Sequence, residues 1–199
     1  MGTTLLIGSC EPFSGKSALV LGIAQQLSKA GQSIRFGKPL ATSLDWDPSK
    51  GPLPQPLIDD DVRFVGDTLG LSPDQLLPSL HLLSHITATQ RLGQGDVMAG
   101  SGMELMRSQI DSDDGLTLLE CAGSLQEGLL YGLSLPQLSE ALDASVVLVH
   151  LWQDSCSVDA LLAAKQLLAE RLVGIVLNAV TPDEVESLER QVVPALGNL

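Results

Sequence analysis

The start of the chain limits most strongly what it can fold into. An apolar run, Thr3 to Ser9 (TTLLIGS), passes through Gly8-Ser9-Cys10-Glu11-Pro12-Phe13-Ser14-Gly15-Lys16-Ser17 into a segment of helical spacing. The run reads as a buried strand. Lys16 to Ala30 repeats Leu19, Ile23 and Leu27 on one helical face, and Gly31 supplies a stop. Strand, loop and helix in that order build a cradle for phosphate. The loop turns backbone N–H groups inward, the helix offers the positive end of its dipole, and one flexible cation completes the set. Lys16 is that cation, and the Ser17 hydroxyl is available to Mg²⁺. The spacing departs from the standard loop. Cys10 stands where a glycine is usual, Gly8 comes two residues earlier, and Pro12 removes one donor. The candidate nucleotide contacts here are Glu11, Pro12, Phe13, Ser14, Gly15, Lys16, Ser17 and Ala18.

Further strands are predicted at Ser33–Lys38, closed by Pro39, and at Leu116–Cys121, Ser145–Trp152 and Val173–Val180. Helices are predicted at Asp59–Leu69, with an acidic first turn, and at Met103–Asp111, Leu135–Leu142 and Val158–Glu170. A last helix is capped by Thr181, with Pro182 at its start and Glu184 three residues after the cap. Ser72-Pro73 marks a cap followed by proline at the first helical position. Residues 39–58 carry Pro39, Pro48, Pro52, Pro54 and Pro56 and read as a long irregular surface segment. Residues 79–92 give no clear pattern. Apolar strands alternating with helices imply an α/β fold, a parallel sheet covered by helices on both faces. Ligands of such sheets bind beyond the carboxyl ends of the strands. No repeat or linker divides the 199 residues, so 1–199 reads as a single nucleotide-binding domain.

The formal net charge of −13 repels phosphate backbones and anionic lipid, which argues against nucleic-acid or membrane partners. With aromatic residues at only 3%, no stacking surface for single-stranded nucleic acid is expected. No apolar stretch reaches membrane-spanning length and no leader pattern is visible, so the expected location is the cytoplasm. Three cysteines, Cys10, Cys121 and Cys156, are too few and too widely spaced for a disulfide framework or a zinc site. His81 and His85 stand four apart, a helical metal spacing, but no third ligand joins them, and they read as a structural pair. Asp111, Asp113 and Asp114 read as a solvated loop, and His150 as a packed strand residue.

Lysine is scarce, so its placement carries information. Lys38 ends a strand against Pro39 and presents a second cation at the carboxyl edge of the sheet. Glu120 ends another apolar strand, where a Mg²⁺ ligand beside a phosphate loop is needed. Asp59-Asp60-Asp61 read equally well as acids stabilising a helix N-terminus.

Four segments then combine: Gly8–Ser17, Gly37-Lys38-Pro39-Leu40-Ala41-Thr42, Glu120-Cys121-Ala122-Gly123 and Val176-Leu177-Asn178. In this order they resemble the dethiobiotin-synthetase-like P-loop family. The nearest likeness is to the N-terminal module of cyanobacterial phosphotransacetylase-like proteins, where it precedes a DRTGG domain. The resemblance implies a P-loop NTPase of the dethiobiotin synthetase type, using ATP and Mg²⁺. It implies Lys16 and Lys38 as catalytic residues, the latter matching a lysine that contacts a substrate carbamate and phosphate. It implies Ser17, Glu120 and an acid at Asp61 or Asp59 as Mg²⁺ ligands, and Asn178 at the adenine edge. The family's Glu-Gly-Ala-Gly-Gly is here Glu120-Cys121-Ala122-Gly123-Ser124, with two glycines replaced.

Two readings follow. One is a Mg-ATP-binding regulatory module with a protein partner or a second copy of itself. The other is an ATP-dependent ligase, which the lost glycines disfavour. A chromosome-partitioning ATPase is a weaker third, because the Lys-Gly-Gly lead-in to its loop is absent. The family continues with another strand, so the chain is expected to be shortened at its C-terminus. The resemblance also brings Cys10 and Cys121 to one edge of the sheet. There Lys16 and the helix N-terminus would favour a thiolate at Cys10, unless both cysteines simply fill gaps.

Overall fold

In the computed structural model, which describes residues 3–95, 101–111 and 115–197, β1 (Thr3–Ser9) leads through the glycine loop into α1 (Lys16–Lys29). β2 (Ile34–Gly37), β3 (Leu40–Ala41), α2 (Asp60–Leu69), β4 (Leu76–Leu77), β5 (His81–Leu82) and α3 (His85–Gln94) follow. The chain then forms α4 (Ser101–Asp111), β6 (Leu116–Glu120), α5 (Leu135–Ala141) and β7 (Ser145–Leu151). It ends with α6 (Ser157–Leu168), β8 (Leu172–Asn178) and α7 (Val185–Leu196).

Six strands form one sheet in the order β4-β2-β6-β1-β7-β8, and each of these pairings is parallel. β1 lies at its centre, with Ile7 opposite Glu120 of β6 and Ser9 opposite Val149 of β7. Successive strand residues point to opposite faces, and here both faces are dry. Leu6, Leu119, Val146 and Leu148 pack under α5 and α6 through Leu135, Leu138, Ala164 and Leu168. Ile7, Phe36, Leu118 and Val149 pack under α1 and α2 through Val20, Ala24, Val62 and Val65. Burial on both faces explains why these strands read as continuous apolar runs instead of alternating ones. It also aims the carboxyl ends of β1, β2 and β6 at one rim.

Three regions differ from expectation. The proline-rich segment is not wholly irregular: Leu40–Ala41 pairs with His81–Leu82 in a small second sheet, packed on Leu57 and Trp46. Two-residue strands are too short to show a period. The unpatterned stretch 79–92 supplies β5 and then α3, whose cap Ser84 accepts the Thr87 N–H at 3.2 Å. His81 and His85 therefore lie on a strand and a helix, not on one helical face. At the C-terminal end, Glu184 does take the Thr181 N–H and hydroxyl. That contact closes a single turn, and regular helix begins only at Val185. Asp113 and Asp114 lie outside the described residues.

Candidate functional site

The loop between β1 and α1 is held by its own short side chains. Ser14 Oγ donates to Glu11 O at 2.7 Å. Ser9 Oγ lies 2.7 Å from Glu11 O and 2.8 Å from Gly123 O, and accepts from Lys16 Nζ at 2.9 Å. From the end of β8, Asn178 Nδ2 donates to Ser14 O at 2.9 Å. Gly15 takes a φ of 98°, which a side chain would resist, and a Cβ there would stand 2.4 Å from Asn178 Nδ2. The loop tip carries Phe13 at a φ of 61°, 97% exposed.

Beside the loop lies a cavity of about 620 Å³. Pro12 through Ala18 form one wall, Lys38, Thr42, Ser43 and Asp61 another, and Glu120 through Gly123 with Glu127 and Leu83 the rest. Its charges are arranged in a chain. Ser17 Oγ donates to Glu120 Oε1 at 3.2 Å. Lys38 Nζ lies 3.8 Å from the same oxygen and 2.7 Å from Asp61 Oδ2. Glu120 Oε2 is buried and has no hydrogen-bond partner among the described residues.

These surroundings shift the ionisable groups. Burial pushes the Glu120 carboxyl above its ordinary range, against the opposing pull of Lys38 and Lys16. Burial lowers Lys16, with Glu120 working against it. For Lys38 burial also lowers, but the Asp61 hydrogen bond and the charges of Glu120 and Asp59 together override it and hold the ammonium above the usual lysine value.

Among the described residues no three His, Cys, Asp or Glu side chains form a metal cage of their own. Mg²⁺ does not need one, because it takes one or two carboxylates and completes its shell with water and phosphate. Ser17, Glu120 and Asp61 could supply such a partial shell, and Glu120 Oε2 is an acceptor without a donor among the described residues. The residues fit the ion.

The cavity thus gathers Lys16, Lys38, Ser17, Asp61, Glu120 and the run from Pro12 to Ala18. Glu11 stands off its wall, with Oε1 3.6 Å from His150 Nδ1 beneath the loop. Asn178 spends its amide on the loop and on the Ala179 N–H. Of the two readings of Cys10, the structure supports gap filling and not a thiolate. Its Sγ lies 3.7 Å from Ala160 O, turned toward α6. Burial first, and the Glu11 charge second, push that thiol up to about 11. Burial likewise takes Cys121 up to about 12. Both are filling residues. Sequence reasoning assigned no role to Thr42, Ser43, Leu83 or Glu127. Glu127 lies in a loop without period or motif, and only the return of that loop to Gly123 brings it here.

A parallel α/β sheet with a glycine-lysine-serine loop between its central strand and a following helix defines a P-loop NTPase-type nucleotide-binding domain. A family model described as an AAA domain, one of the P-loop NTPase families, matches residues 3–199, and the chain belongs to that family. Nucleotide, usually with Mg²⁺, is what such a domain binds. A search of curated proteins returned no match. Among solved structures, the chain is similar to the signal recognition particle receptor FtsY from Elizabethkingia anophelis. Identity is 15% and TM-score 0.51, covering 88% of this chain and 49% of that one. The same receptor in complex with GDP gives 13% and 0.48, covering 88% and 48%. The kinase domain of Escherichia coli tyrosine kinase ETK gives 10% and 0.50, covering 90% and 70%. The chain spans about half the length of the FtsY chains. Among the described residues no helix is long and apolar enough to cross a membrane.

Proposed function

We propose that the chain is a Mg-ATP-binding module with a regulatory role, conveying nucleotide state to a protein partner or a second copy of itself. The observation that carries the nucleotide site is the Ser17–Glu120 hydrogen bond, with Lys16 and Lys38 facing the same cavity and Lys38 ion-paired to Glu120. Lys16 would meet the phosphates as the flexible cation of the loop, and the backbone N–H groups before α1 would cradle them. Ser17, Glu120 and Asp61 would hold Mg²⁺, which when bound neutralises phosphate charge. ATP, not GTP, is the nucleotide that the resemblance to the dethiobiotin-synthetase-like family implies.

The ligase reading draws on Lys38, which matches the carbamate-contacting lysine of dethiobiotin synthetases. Against it, Cys121 is only 1% exposed in the core, and the Gly123 N–H is occupied by Glu127. That leaves little open backbone for a second substrate. Calorimetric titration of Mg-ATP into the protein and into Lys16→Ala tests the first reading. Binding by the parent and its loss in the variant are expected, and equal binding by both overturns it. Supplied with diaminopelargonic acid, bicarbonate and Mg-ATP, the protein is expected to form no dethiobiotin. Robust turnover would put the ligase first.

A further inference from the structure

Three buried polar atoms gather beneath the phosphate loop without a hydrogen-bond partner among the described residues: Glu11 Oε1 and both ring nitrogens of His150. Glu11 Oε1 and His150 Nδ1 stand 3.6 Å apart. That is too far for a hydrogen bond, and near enough that a small movement of the loop would make one. Buried polar atoms left unpaired cost stability, so the arrangement is unfinished as it stands.

The two side chains belong to different elements. Glu11 is part of the loop, and its carbonyl ties the loop together: Ser14 Oγ donates to it at 2.7 Å and Ser9 Oγ lies 2.7 Å from it. Ser9 Oγ in turn takes Lys16 Nζ at 2.9 Å. The Glu11 side chain is thus linked to the phosphate lysine through its own peptide and one hydroxyl. His150 lies near the end of β7, beside β1, on the face that Val146 and Leu148 turn toward α5 and α6.

Few other charges face the imidazole. From the loop, Cys10 keeps its proton up to about 11 and turns its sulfur to Ala160 O. β8 sets Leu177 opposite His150. Glu140 of α5, Asp154 ahead of α6 and Asp159 within it are exposed, and Lys165 of α6 reaches Leu196 O. Burial opposes a proton on the ring, and the Glu11 charge favours one.

A carboxylate in a phosphate loop repels the ligand that the loop is shaped to hold. With neutral imidazole the Glu11–His150 pair carries one negative charge. With imidazolium it carries none, and Nδ1–H can donate to Oε1 in a charge-assisted bond. Phosphates arriving above the loop add negative charge, which favours the same proton.

We propose that His150 is a positioning residue of the nucleotide site: it takes up a proton from solvent as the phosphates bind, and the imidazolium draws the Glu11 carboxylate down beneath the loop and cancels its charge. The inference rests on the nucleotide-binding reading and deepens it by making proton uptake part of phosphate binding. The coupling is reciprocal, so bound nucleotide strengthens the hold of His150 on its proton by the factor by which the proton strengthens nucleotide binding. Affinity therefore climbs as pH falls toward and below the ordinary histidine value of 6.5.

The test is calorimetric titration of Mg-ADP into the parent, His150→Gln and Glu11→Gln between about pH 8 and about pH 5.5, a range that spans the free histidine value. The parent should gain about tenfold in affinity over this range, the equivalent of one pKa unit. Both variants should keep only the shallower change that comes from the nucleotide's own phosphates, which is common to all three proteins. Parallel curves for parent and variants overturn the proposal. A slope lost in His150→Gln and kept in Glu11→Gln overturns it as well, because the imidazole would then answer to the phosphates without the carboxylate. A second measurement needs no variant and holds even where a change at buried position 150 prevents folding. The ring resonances of His150 are titrated in the parent with and without Mg-ADP, and their midpoint should rise by about one unit when nucleotide is bound. A midpoint that stays or falls contradicts the proposal. If the parent binds no nucleotide at any pH, the nucleotide-binding reading fails and this inference with it. If the parent binds, Lys16→Ala does not, and the His150 midpoint stays in place, only this inference fails.

Discussion

Lys38 Nζ lies 3.5 Å from Asp59 Oδ1, and both side chains are withdrawn from solvent, at 4% and 0% exposure. Asp59 also accepts three backbone N–H groups: that of Asp61 at 2.9 Å, of Thr42 at 2.8 Å and of Ser43 at 3.0 Å. One carboxylate thus caps α2 and ties the proline-rich segment to the end of β2. This separates the acids of the Asp59-Asp60-Asp61 triplet. Asp59 is committed to backbone and lysine, whereas Asp61 faces the cavity with 42% of its side chain exposed.

Lys38→Met should therefore destabilise the protein by about 3 kcal/mol, because a buried carboxylate loses its cation. The three N–H donors keep the loss from being larger. Asp61→Asn, at a half-exposed pair, should cost under about 1 kcal/mol while weakening the Mg²⁺-dependent part of nucleotide binding. Urea unfolding midpoints measure the first effect, and titrations with and without Mg²⁺ the second. A Lys38→Met variant as stable as the parent would mean that the N–H donors alone satisfy Asp59.

The sequence carried the large parts of this arrangement because they rest on local signals. β1, the loop and α1 follow from apolar runs and glycine punctuation over a few residues. The ends of β2 and β6 were legible because a charged residue after a buried strand is conspicuous, which is why Lys38 and Glu120 stood out. Contacts that depend on the return of a distant loop were not legible. Glu127 reaches Gly123 through a turn without periodic pattern. Cys10 sits next to a positive loop in sequence, but the strand end turns its sulfur the other way, toward α6. Asn178 looks like an ordinary turn residue until β8 brings it against Ser14.

His150 gives the fold a pH dependence of definite sign. It is only 4% exposed, and neither ring nitrogen has a hydrogen-bond partner among the described residues. Burial depresses its pKa below the ordinary 6.5, with Glu11 opposing. On acidification the unfolded chain takes up this proton near 6.5, while the folded chain resists until a lower pH. The contribution of His150 to stability is thus intact above pH 6.5 and lost as pH falls from there toward the depressed folded value. Urea midpoints measured between pH 7.5 and about pH 5, a range chosen around the free histidine value, should fall more steeply in the parent than in His150→Phe. Parallel curves would show that the imidazole is not desolvated in solution.

Gly15 and Asn178 form a second testable pair, because the amide lies where a side chain at position 15 would go. Gly15→Ala carries two separable costs. The left-handed backbone opposes a Cβ by about 1–2 kcal/mol, and that Cβ would meet Asn178 Nδ2 at 2.4 Å. Asn178→Ala alone removes the bond to Ser14 O, a loss of about 1 kcal/mol. Combined, the two changes should cost less than their sum, since removing the amide relieves the clash. A coupling of about 0.5 kcal/mol or more in a double-mutant cycle would register this, and strict additivity would mean the loop yields without resistance. The same variant separates two roles for Asn178. If its amide acts by holding the phosphate loop, Asn178→Ala should weaken ATP and inorganic tripolyphosphate by similar factors. If it meets the adenine edge, ATP alone should suffer. The 2.9 Å bond from Nδ2 to Ser14 O leads us to expect the similar factors, because that contact supports the cradle whichever base follows the phosphates.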